Sequence, residues 1–364
     1  MNHSVCQPFM PEHLYIEEAV RESPWTRRIL DRLPGADCIV VEDEKALPLN
    51  PPPKSILLAR QRGPFLRLCP GTSRHICCLY HNLDIAAGCD LGCSYCILQG
   101  YLNVPMTTLY CNLETMFAEL DDTLKRHPRQ FFRIGTGELS DSLTFDHFTA
   151  WSGDLVDYFS RQSNAIIELK SKNTHTAHFL HQPHNRRTVV SWSVNAAAMV
   201  ASEEPNTPPL AARLAAAAAA QEAGFWIGFH FDPMIRHEGW EEGYRAVVEA
   251  IFARIKPTNI AWISLGALRY PPFLDEIIRE NHPESRIPLG ELLPGADLKF
   301  RYFKPQRIEM FHKMYRWIKS HGQETPVYLC MESDEVWRKA FGWSPGNSAG
   351  LKRMLDRRVG GSIR

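Results

Sequence analysis

Three closely spaced cysteines are the residues with the clearest chemical meaning in this sequence. Cys89, Cys93 and Cys96 follow directly after the stretch NLDIAA (82–87), which predicts a strand, and lie in GCDLGCSYC. Thiolates are the usual ligands of iron–sulfur clusters, and a four-iron cluster normally takes four of them. Three ligands leave one iron open, and that iron can chelate the amino and carboxylate groups of S-adenosylmethionine (SAM). The spacing therefore predicts a 4Fe–4S cluster that cleaves SAM reductively to give a 5′-deoxyadenosyl radical.

Zinc is the alternative metal for these thiols. Structural zinc sites usually combine one C-x2-C pair with a second pair further along the chain. Cys93 and Cys96 form the only such pair in the sequence, and His81 lies on the preceding predicted strand. These features favour the cluster, while a non-catalytic iron–sulfur or zinc-binding protein stays open as a rival class. The adjacent Cys77 and Cys78 are either half-buried strand thiols or a site for a soft ion or redox chemistry.

Alternating strand-like and helix-like segments must position the cysteine motif. From Tyr80 onward, short apolar runs such as FFRIG (131–135) and AIIELKSK (165–172) alternate with helical segments. Repeated strand–helix units favour parallel strands joined by crossover helices, and barrels of this kind carry their working residues at strand C-termini. We predict an α/β protein with a small N-terminal α/β preface (1–80), a partial barrel (81–345) and a C-terminal tail (346–364).

Charge and hydropathy weigh against several function classes. The chain has 41 Lys and Arg residues against 41 Asp and Glu, so its net charge provides no general attraction to nucleic acid or anionic membranes. The N-terminus has no basic stretch followed by an apolar one. The alanine-rich run 210–223 is too short and too charged to span a bilayer. We therefore expect a cytoplasmic protein without membrane contact, in which the cysteines stay reduced.

Longer motifs resemble a known family. The cysteine motif is similar to that of the radical SAM superfamily, and GFHFDPMIRHEGWEEGYR (228–245) resembles its spore photoproduct lyase-like group. Further similarity runs from PFMPEHLYIEE near the N-terminus to YFKPQRIEMFHKMYRWI (302–318), so the resemblance covers most of the chain. It implies a partial (β/α)6 TIM-type barrel, a 4Fe–4S cluster, SAM, and an electron donor such as flavodoxin or ferredoxin.

The resemblance also implies a set of contacts to SAM. One aromatic residue lies at the adenine edge, a strip after the second barrel strand meets the methionine amino group, and residues at later strand ends hold the carboxylate and the ribose. In this sequence they are Tyr95, then Thr136, Gly137 and Glu138, then Lys172, Ser193 and Asn195. From residue type alone, Glu138 is equally consistent with an exposed loop carboxylate, and Lys172 with a solvated lysine at a strand end.

Two positions depart from the family pattern. The lyase of this group has a cysteine just before the SAM-binding strip, which donates a hydrogen atom to the product radical, and a tyrosine directly after the third cluster cysteine. Gly135 and Ile97 take those places here. Neither side chain offers a hydrogen atom comparable to that of a thiol, and a misplacement of about 1 Å can already cost around a hundredfold in rate. We therefore expect SAM cleavage but little or no repair of spore photoproduct.

The sequence gives less direct evidence about the class of substrate. The missing donor and the neutral net charge favour an unidentified substrate, such as a small molecule, while the resemblance favours a DNA lesion as the alternative. Asp232 and His237, which follow the predicted strand FWIGFHF (225–231), are candidates for contact with the substrate. Cys330, in the last predicted strand, is a candidate replacement for the missing hydrogen donor. A small buried core residue is the alternative reading of Cys330.

Overall fold

The structure is a computed structural model that describes residues 8–72, 74–102 and 104–361. Its strands are β1 (His13–Glu17), β2 (Asp37–Val41), β3 (Ser55–Ala59), β4 (Leu66–Leu68), β5 (His81–Leu83), β6 (Ala86–Ala87), β7 (Thr107–Tyr110), β8 (Phe132–Gly135), β9 (Ala165–Ser171), β10 (Thr188–Ser193), β11 (Trp226–Met234), β12 (Ile260–Ala267), β13 (Arg269–Tyr270), β14 (Leu293–Pro294), β15 (Phe300–Arg301) and β16 (Val327–Leu329). Its α-helices are α1 (Pro24–Arg32), α2 (Leu98–Tyr101), α3 (Leu113–Arg126), α4 (Asp146–Thr149), α5 (Trp151–Ser160), α6 (Ala197–Glu203), α7 (Leu210–Glu222), α8 (Trp240–Phe252), α9 (Phe273–Asn281), α10 (Lys304–His321), α11 (Asp334–Phe341) and α12 (Ser348–Arg358). Short 3-10 helices cover Glu18–Val20, Glu44–Ala46, Pro257–Asn259 and Ile287–Leu289.

Eight strands form one curled sheet, in the order β16-β12-β11-β10-β9-β8-β5-β4. Neighbours pair in parallel except at one edge, where β4 pairs antiparallel with β5. The central strands are buried along almost their whole length, as expected where a parallel sheet is covered on both faces. This arrangement confirms the predicted α/β class and partial TIM-type barrel. Among the described residues the barrel has seven parallel strands rather than six, because β16 adds to β12.

A second, five-stranded sheet contains the N-terminal strands, in the order β2-β1-β3-β7-β6. Strands β6 and β7 lie beyond residue 80, so this sheet takes in chain on both sides of the cysteine motif. The single strand expected over NLDIAA (82–87) is split, because β5 joins the barrel and β6 joins this sheet. Asp84 marks the break: its backbone N–H donates to the carbonyl of Phe65 (2.9 Å), and its buried carboxylate accepts from Arg67 (2.8 Å). The cysteine loop therefore starts where the two sheets meet.

The segment expected to be a C-terminal tail contains helix α12, which packs against the barrel base. Leu351 is fully buried on this helix. The Asp356 carboxylate accepts from the Arg133 guanidinium of β8 (2.8 Å), and both side chains are buried. Arg358 donates to the carbonyl of Ile260 at the start of β12 (2.8 Å). Buried leucines and a buried ion pair thus make this segment part of the barrel structure rather than a loose extension.

Helix α7 carries the alanine-rich run and packs against β10 and β11. Its Arg213 is fully buried, because the guanidinium donates to the Glu204 carboxylate (2.6 Å) and to the carbonyl of Ser193 (2.9 Å). Within the part of the chain that the structure describes, no helix is long and apolar enough to cross a membrane.

Candidate active site

The cysteine loop leaves β6 through a glycine that no larger residue can replace. Gly88 has a φ of +105°, and an added Cβ would lie 2.7 Å from Oγ1 and 2.9 Å from Cα of Thr107 on the neighbouring β7. The Gly88 backbone N–H donates to the carbonyl of Leu139 (2.8 Å), in the loop after β8. Two loops at the C-terminal end of the barrel are therefore tied together at the point where Cys89 begins the motif.

The three cysteines differ in burial. Cys93 is buried, whereas Cys89 and Cys96 are partly exposed. The turn is held by a bond from the Cys96 N–H to the Cys93 carbonyl (3.0 Å). The Gln99 side-chain amide also donates to the carbonyls of Cys93 (3.3 Å) and Ser94 (2.8 Å). Burial raises the pKa of Cys93 to about 12, so ligation of a metal must displace a thiol proton.

The donor set, rather than preformed ligand geometry, indicates which metal group fits this loop. Among the described residues, no three His, Cys, Asp or Glu side chains converge as they would around a bound ion. The loop nevertheless offers three thiols within eight residues and no fourth cysteine. Soft thiolate donors are those that iron–sulfur clusters take, and three of them leave one iron open. Cys89, Cys93 and Cys96 therefore fit a 4Fe–4S cluster with a vacant iron position.

A buried positive charge stands beside the cysteine loop. The Lys172 ammonium, directly after β9, lies 5.5 Å from the centroid of the Tyr95 ring. Burial alone would lower the pKa of Lys172, but Cys93 and Glu204 raise it above its ordinary value, so the lysine stays charged. The Tyr95 hydroxyl donates to Glu204 (2.5 Å), whose second oxygen accepts from Arg213 (2.6 Å). The arrangement offers a fixed cation to the carboxylate of a cofactor bound at the loop.

The strip after β8 is shaped by its close approach to β9. An added Cβ at Gly137 would lie 2.9 Å from Cε and 3.2 Å from the carbonyl oxygen of Lys170, so a larger residue there would have to displace Lys170. Thr136 is buried, and its hydroxyl donates to Ser142 (2.8 Å). Glu138 is exposed and makes no hydrogen bond or ion pair with any described residue. Glu138 thus remains unengaged among the described residues, while Thr136 supports the strip.

Asp141, which the sequence did not bring to attention, fixes this strip against the end of β9. Its carboxylate accepts from the Ser171 hydroxyl (2.6 Å) and from the backbone N–H of Lys172 (2.7 Å). It therefore holds the backbone from which the lysine projects. Glu204 and Arg213 were missed in the same way. A lone arginine in an alanine-rich helix was the available signal, because a charge buried there requires a partner.

Ser193 and Asn195 lie two residues apart at the end of β10, and they differ in burial and in hydrogen bonding. Ser193 is partly exposed. Asn195 is buried, and its Oδ1 accepts from the Tyr244 hydroxyl (2.6 Å) and from the Ala196 N–H (3.0 Å). Its Nδ2 donates to the carbonyl of Pro233 (3.3 Å). Both acceptor positions of Oδ1 are thus used inside the protein, so a ribose contact from Asn195 would come from the second N–H of Nδ2.

Asp232 and Cys330 lie together, joined by Arg269. Arg269 donates to both carboxylate oxygens of Asp232 (2.9 and 3.1 Å) and approaches Cys330 Sγ at 3.4 Å. Burial and the neighbouring carboxylate raise the pKa of Cys330, so it stays a neutral thiol. His237 turns instead to its own loop: Nδ1 lies 2.7 Å from a backbone carbonyl oxygen, and the ring stacks near Tyr244, with centroids 6.1 Å apart.

Deeper in the barrel, a buried polar network lies next to a tyrosine. The Glu168 carboxylate accepts from the His230 ring (2.8 Å) and from the Trp262 indole (2.9 Å). Gly135 pairs with Glu168 across β8 and β9, so both residues present the same face. Tyr80 covers that face at the glycine. Sequence reasoning assigned no role to this tyrosine.

The barrel and its three-cysteine loop define the class of this protein, which is a radical SAM enzyme. The sequence profile of the family described as "Spore photoproduct lyase" matches residues 76–317, more than half of the chain. The chain therefore belongs to the spore photoproduct lyase family. This result confirms the family resemblance, and the predicted 4Fe–4S cluster and SAM are the cofactors of this family.

Named relatives and solved structures agree with this assignment. The chain is 27% identical to the spore photoproduct lyase of Bacillus subtilis (strain 168) over 294 residues, which cover 78% of this chain and 86% of the relative. It is 24% identical to that of Geobacillus sp. (strain Y412MC61), with the same coverage. A mutant spore photoproduct lyase with bound AdoMet and dinucleoside spore photoproduct has a TM-score of 0.79 and 21% identity, covering 90% of this chain and all (100%) of that one. At this identity, the structural match establishes the fold alone.

Proposed function

We propose that this chain is a radical SAM lyase that cleaves a thymine lesion of DNA of the spore photoproduct type. The observation that carries the proposal is the family match over residues 76–317. The likeness to a lyase that holds AdoMet and dinucleoside spore photoproduct on the same fold adds support. The first expectation from the sequence, an unidentified substrate such as a small molecule, is not confirmed. The alternative of a DNA lesion fits these relatives better, and this proposal departs from the expectation of little or no repair, which depended on Gly135 and Ile97.

Different residues at the barrel mouth would bind the cluster and SAM. Cys89, Cys93 and Cys96 would hold the cluster, and bound SAM would supply radical chemistry that removes a hydrogen atom from the substrate. Lys172 would accept the SAM carboxylate in a charge-assisted bond. Tyr95, which Glu204 holds by its hydroxyl, would cover the adenine. An external one-electron donor of the flavodoxin or ferredoxin kind would reduce the cluster.

The substrate would lie in the barrel lumen beneath these groups. The pairing of Asp232 with Arg269 presents the substrate with a fixed hydrogen-bonded pair instead of a free charge. The strands around it are buried along their length, which keeps water and stray hydrogen donors away from a radical. The lumen therefore suits a reaction whose intermediate must be protected until one chosen group quenches it.

The test is a comparison of three dinucleotides. Iron-loaded, reduced protein with SAM is incubated with spore photoproduct, with a cyclobutane thymine dimer, or with undamaged thymidine dinucleotide. We expect 5′-deoxyadenosine above the SAM-only background, together with restored thymine, from spore photoproduct alone, and none from the Cys93→Ala protein. Equal formation with all three, or stimulation only by a low-molecular-mass metabolite fraction, would refute the lesion assignment and favour the small-molecule reading.

Metal content separates this proposal from the non-catalytic rival. Protein purified without oxygen should carry about four irons per chain, because three cysteines and one open position describe a 4Fe–4S cluster. One zinc per chain and no iron after reconstitution would instead support a zinc-binding protein.

A further inference from the structure

We propose that Tyr80 donates the hydrogen atom that quenches the substrate radical. This inference rests on the proposed lyase function and concerns its last step. A carbon radical that remains after bond cleavage needs an X–H bond of comparable or lower strength within a few ångströms. In a protein, that requirement is met by a thiol or a phenol. Gly135 supplies neither, and Tyr80 lies against it.

The position of the Tyr80 hydroxyl is the first observation. An added Cβ at Gly135 would overlap the Tyr80 hydroxyl oxygen and lie 2.6 Å from its Cζ. The phenol therefore fills the space into which any side chain at position 135 would project. Gly135 pairs with Glu168, and the Glu168 carboxylate accepts hydrogen bonds from side chains of three further barrel strands. Because these strands meet at this face, it is the lumen of the barrel. The absence of a side chain at Gly135 thus makes room for the Tyr80 phenol.

The hydrogen bonding of the hydroxyl is the second observation. The Tyr80 hydroxyl oxygen is buried, and within residues 8–72, 74–102 and 104–361 it has no hydrogen-bond partner. An unpaired buried polar group costs about 1–3 kcal/mol, which a purely structural role does not explain. Burial and the nearby Glu168 carboxylate raise the pKa of Tyr80 well above its ordinary value, so the phenol keeps its hydrogen at neutral pH. The O–H bond is therefore present and desolvated, with the Glu168 carboxylate as the charged acceptor group that acts on it.

Other oxidisable groups in the lumen are less suitable. The Cys330 thiol is held by Arg269 and Asp232, so its hydrogen has an acceptor within the protein. Cys78 lies two residues before Tyr80, where its carbonyl accepts from Arg133 of the barrel base. Tyr328 on β16 lies near enough to Tyr80 to help raise its pKa, but Tyr80 is the residue that occupies the space in front of Gly135. None of these three covers a glycine of the lumen.

Hydrogen transfer from Tyr80 is balanced by the reductant that the enzyme already needs. The Tyr80 O–H bond breaks, a C–H bond forms on the substrate radical, and a phenoxyl radical remains. One electron from the one-electron donor of the cluster and one proton from solvent then restore the phenol. Each turnover thus uses one SAM, two electrons and one proton. Tyr80 is partly exposed as a residue although its hydroxyl is buried, so solvent lies close enough to supply the proton.

The test compares Tyr80→Phe with the matched variant Tyr328→Phe. Removing an unpaired hydroxyl should leave the thermal midpoint of the metal-free Tyr80→Phe protein equal to or above that of the unmodified protein. With iron, SAM and dinucleotide spore photoproduct, restored thymine per 5′-deoxyadenosine should fall by about tenfold or more in Tyr80→Phe and stay unchanged in Tyr328→Phe. In D2O, the unmodified protein should place deuterium in the restored thymine. A freeze-quenched sample should show an organic radical whose spectrum narrows when ring-deuterated tyrosine is incorporated.

The outcomes separate this inference from the function on which it rests. No lesion-dependent product from the unmodified protein would overturn the proposed function, and the role of Tyr80 with it. Efficient repair by Tyr80→Phe would overturn the role of Tyr80 alone. Loss of repair in Cys330→Ala or Tyr328→Phe, with Tyr80→Phe unaffected, would assign the donor to that residue instead. Unfolded Tyr80→Phe protein would also contradict the inference, because it would give the hydroxyl a structural role.

Discussion

Replacing Gly135 with alanine should disturb the barrel at one defined contact. The new Cβ would overlap the Tyr80 hydroxyl, lie 2.6 Å from Cζ and lie 2.9 Å from the carbonyl oxygen of Glu168. The tyrosine can move by changing its side-chain torsions, but the carbonyl belongs to a central strand and cannot. Overpacking of this kind typically costs about 1–3 kcal/mol. We expect the free energy of unfolding of Gly135→Ala to fall by about 2 kcal/mol.

Thermal unfolding of the metal-free protein measures this cost. For a chain of this size, about 2 kcal/mol corresponds to a decrease of roughly 4 °C in the midpoint. Gly35→Ala is the matched control, because an added Cβ at Gly35 meets no atom within 4 Å. That control should remain within about 0.5 kcal/mol of the unmodified protein. An unchanged midpoint in Gly135→Ala would refute the close approach of Tyr80.

A double-mutant cycle identifies the residue responsible. In a Tyr80→Ala background, the phenol is gone and only the Glu168 carbonyl remains near position 135. The cost of Gly135→Ala should therefore shrink by about 1 kcal/mol or more, since residues in contact do not act additively. The same cost in both backgrounds would show that backbone contact alone is responsible. Gly135→Cys in the Tyr80→Ala background should, in addition, restore repair through a thiol at the same place.

Three further changes test the supports of the site. Asp356→Asn leaves the buried Arg133 without its charge partner, so the free energy of unfolding should fall by about 3–5 kcal/mol in urea. The pKa of Glu168 is lowered to about 2, because the nearby His230 outweighs the effect of burial. The free energy that Glu168 contributes to folding is thus complete above its unfolded pKa of about 4.3 and is lost as the pH falls toward 2. In Glu168→Gln, the decrease in the free energy of unfolding over this pH range should therefore be smaller by roughly 3 kcal/mol. Lys172→Met should weaken SAM binding by about 10–100-fold in calorimetry, the loss expected for one charged hydrogen bond.

Surface changes of the same chemistry provide the controls. Asp157→Asn breaks an ion pair with Arg161 in which both side chains are more than half exposed, and should cost less than about 0.5 kcal/mol. Lys125→Met removes an exposed helix lysine and should leave SAM affinity unchanged. A loss in Asp356→Asn as small as that in Asp157→Asn would contradict the buried pair. If the free energy of unfolding of Glu168→Gln falls with decreasing pH as in the unmodified protein, the role given to Glu168 is wrong. If Lys172→Met binds SAM with unchanged affinity, the proposed contact of Lys172 with SAM is wrong.

Features encoded in a short stretch of sequence were predictable. The cysteine motif is recognised from local spacing alone, and strands such as β9 and β12 are visible in the sequence as apolar runs. The strand over NLDIAA was predicted in part, since its apolar pattern continues across Asp84 while the chain passes from one sheet to the other. An apolar pattern marks burial, and it does not say against which sheet a residue is buried.

Features that depend on register between distant segments were not predictable. Tyr80 reaches Gly135 only because β5 pairs with β8, with Asn82 opposite Gly135. Arg269 meets Asp232 across two strands in the same way. Residue type alone can also mislead: an asparagine at a strand end suggests a ligand contact, yet the fold itself uses both ends of the Asn195 amide.

Counting products is the most direct test of the central claim. Reduced, iron-loaded protein is given SAM and dinucleotide spore photoproduct, and restored thymine dinucleotide is counted against 5′-deoxyadenosine. If Tyr80 quenches the substrate radical and is restored by the external reductant, the ratio should approach one restored dinucleotide per 5′-deoxyadenosine. Abundant 5′-deoxyadenosine with little or no restored dinucleotide would contradict the account, because it would show a radical enzyme that lacks an effective hydrogen donor for this lesion.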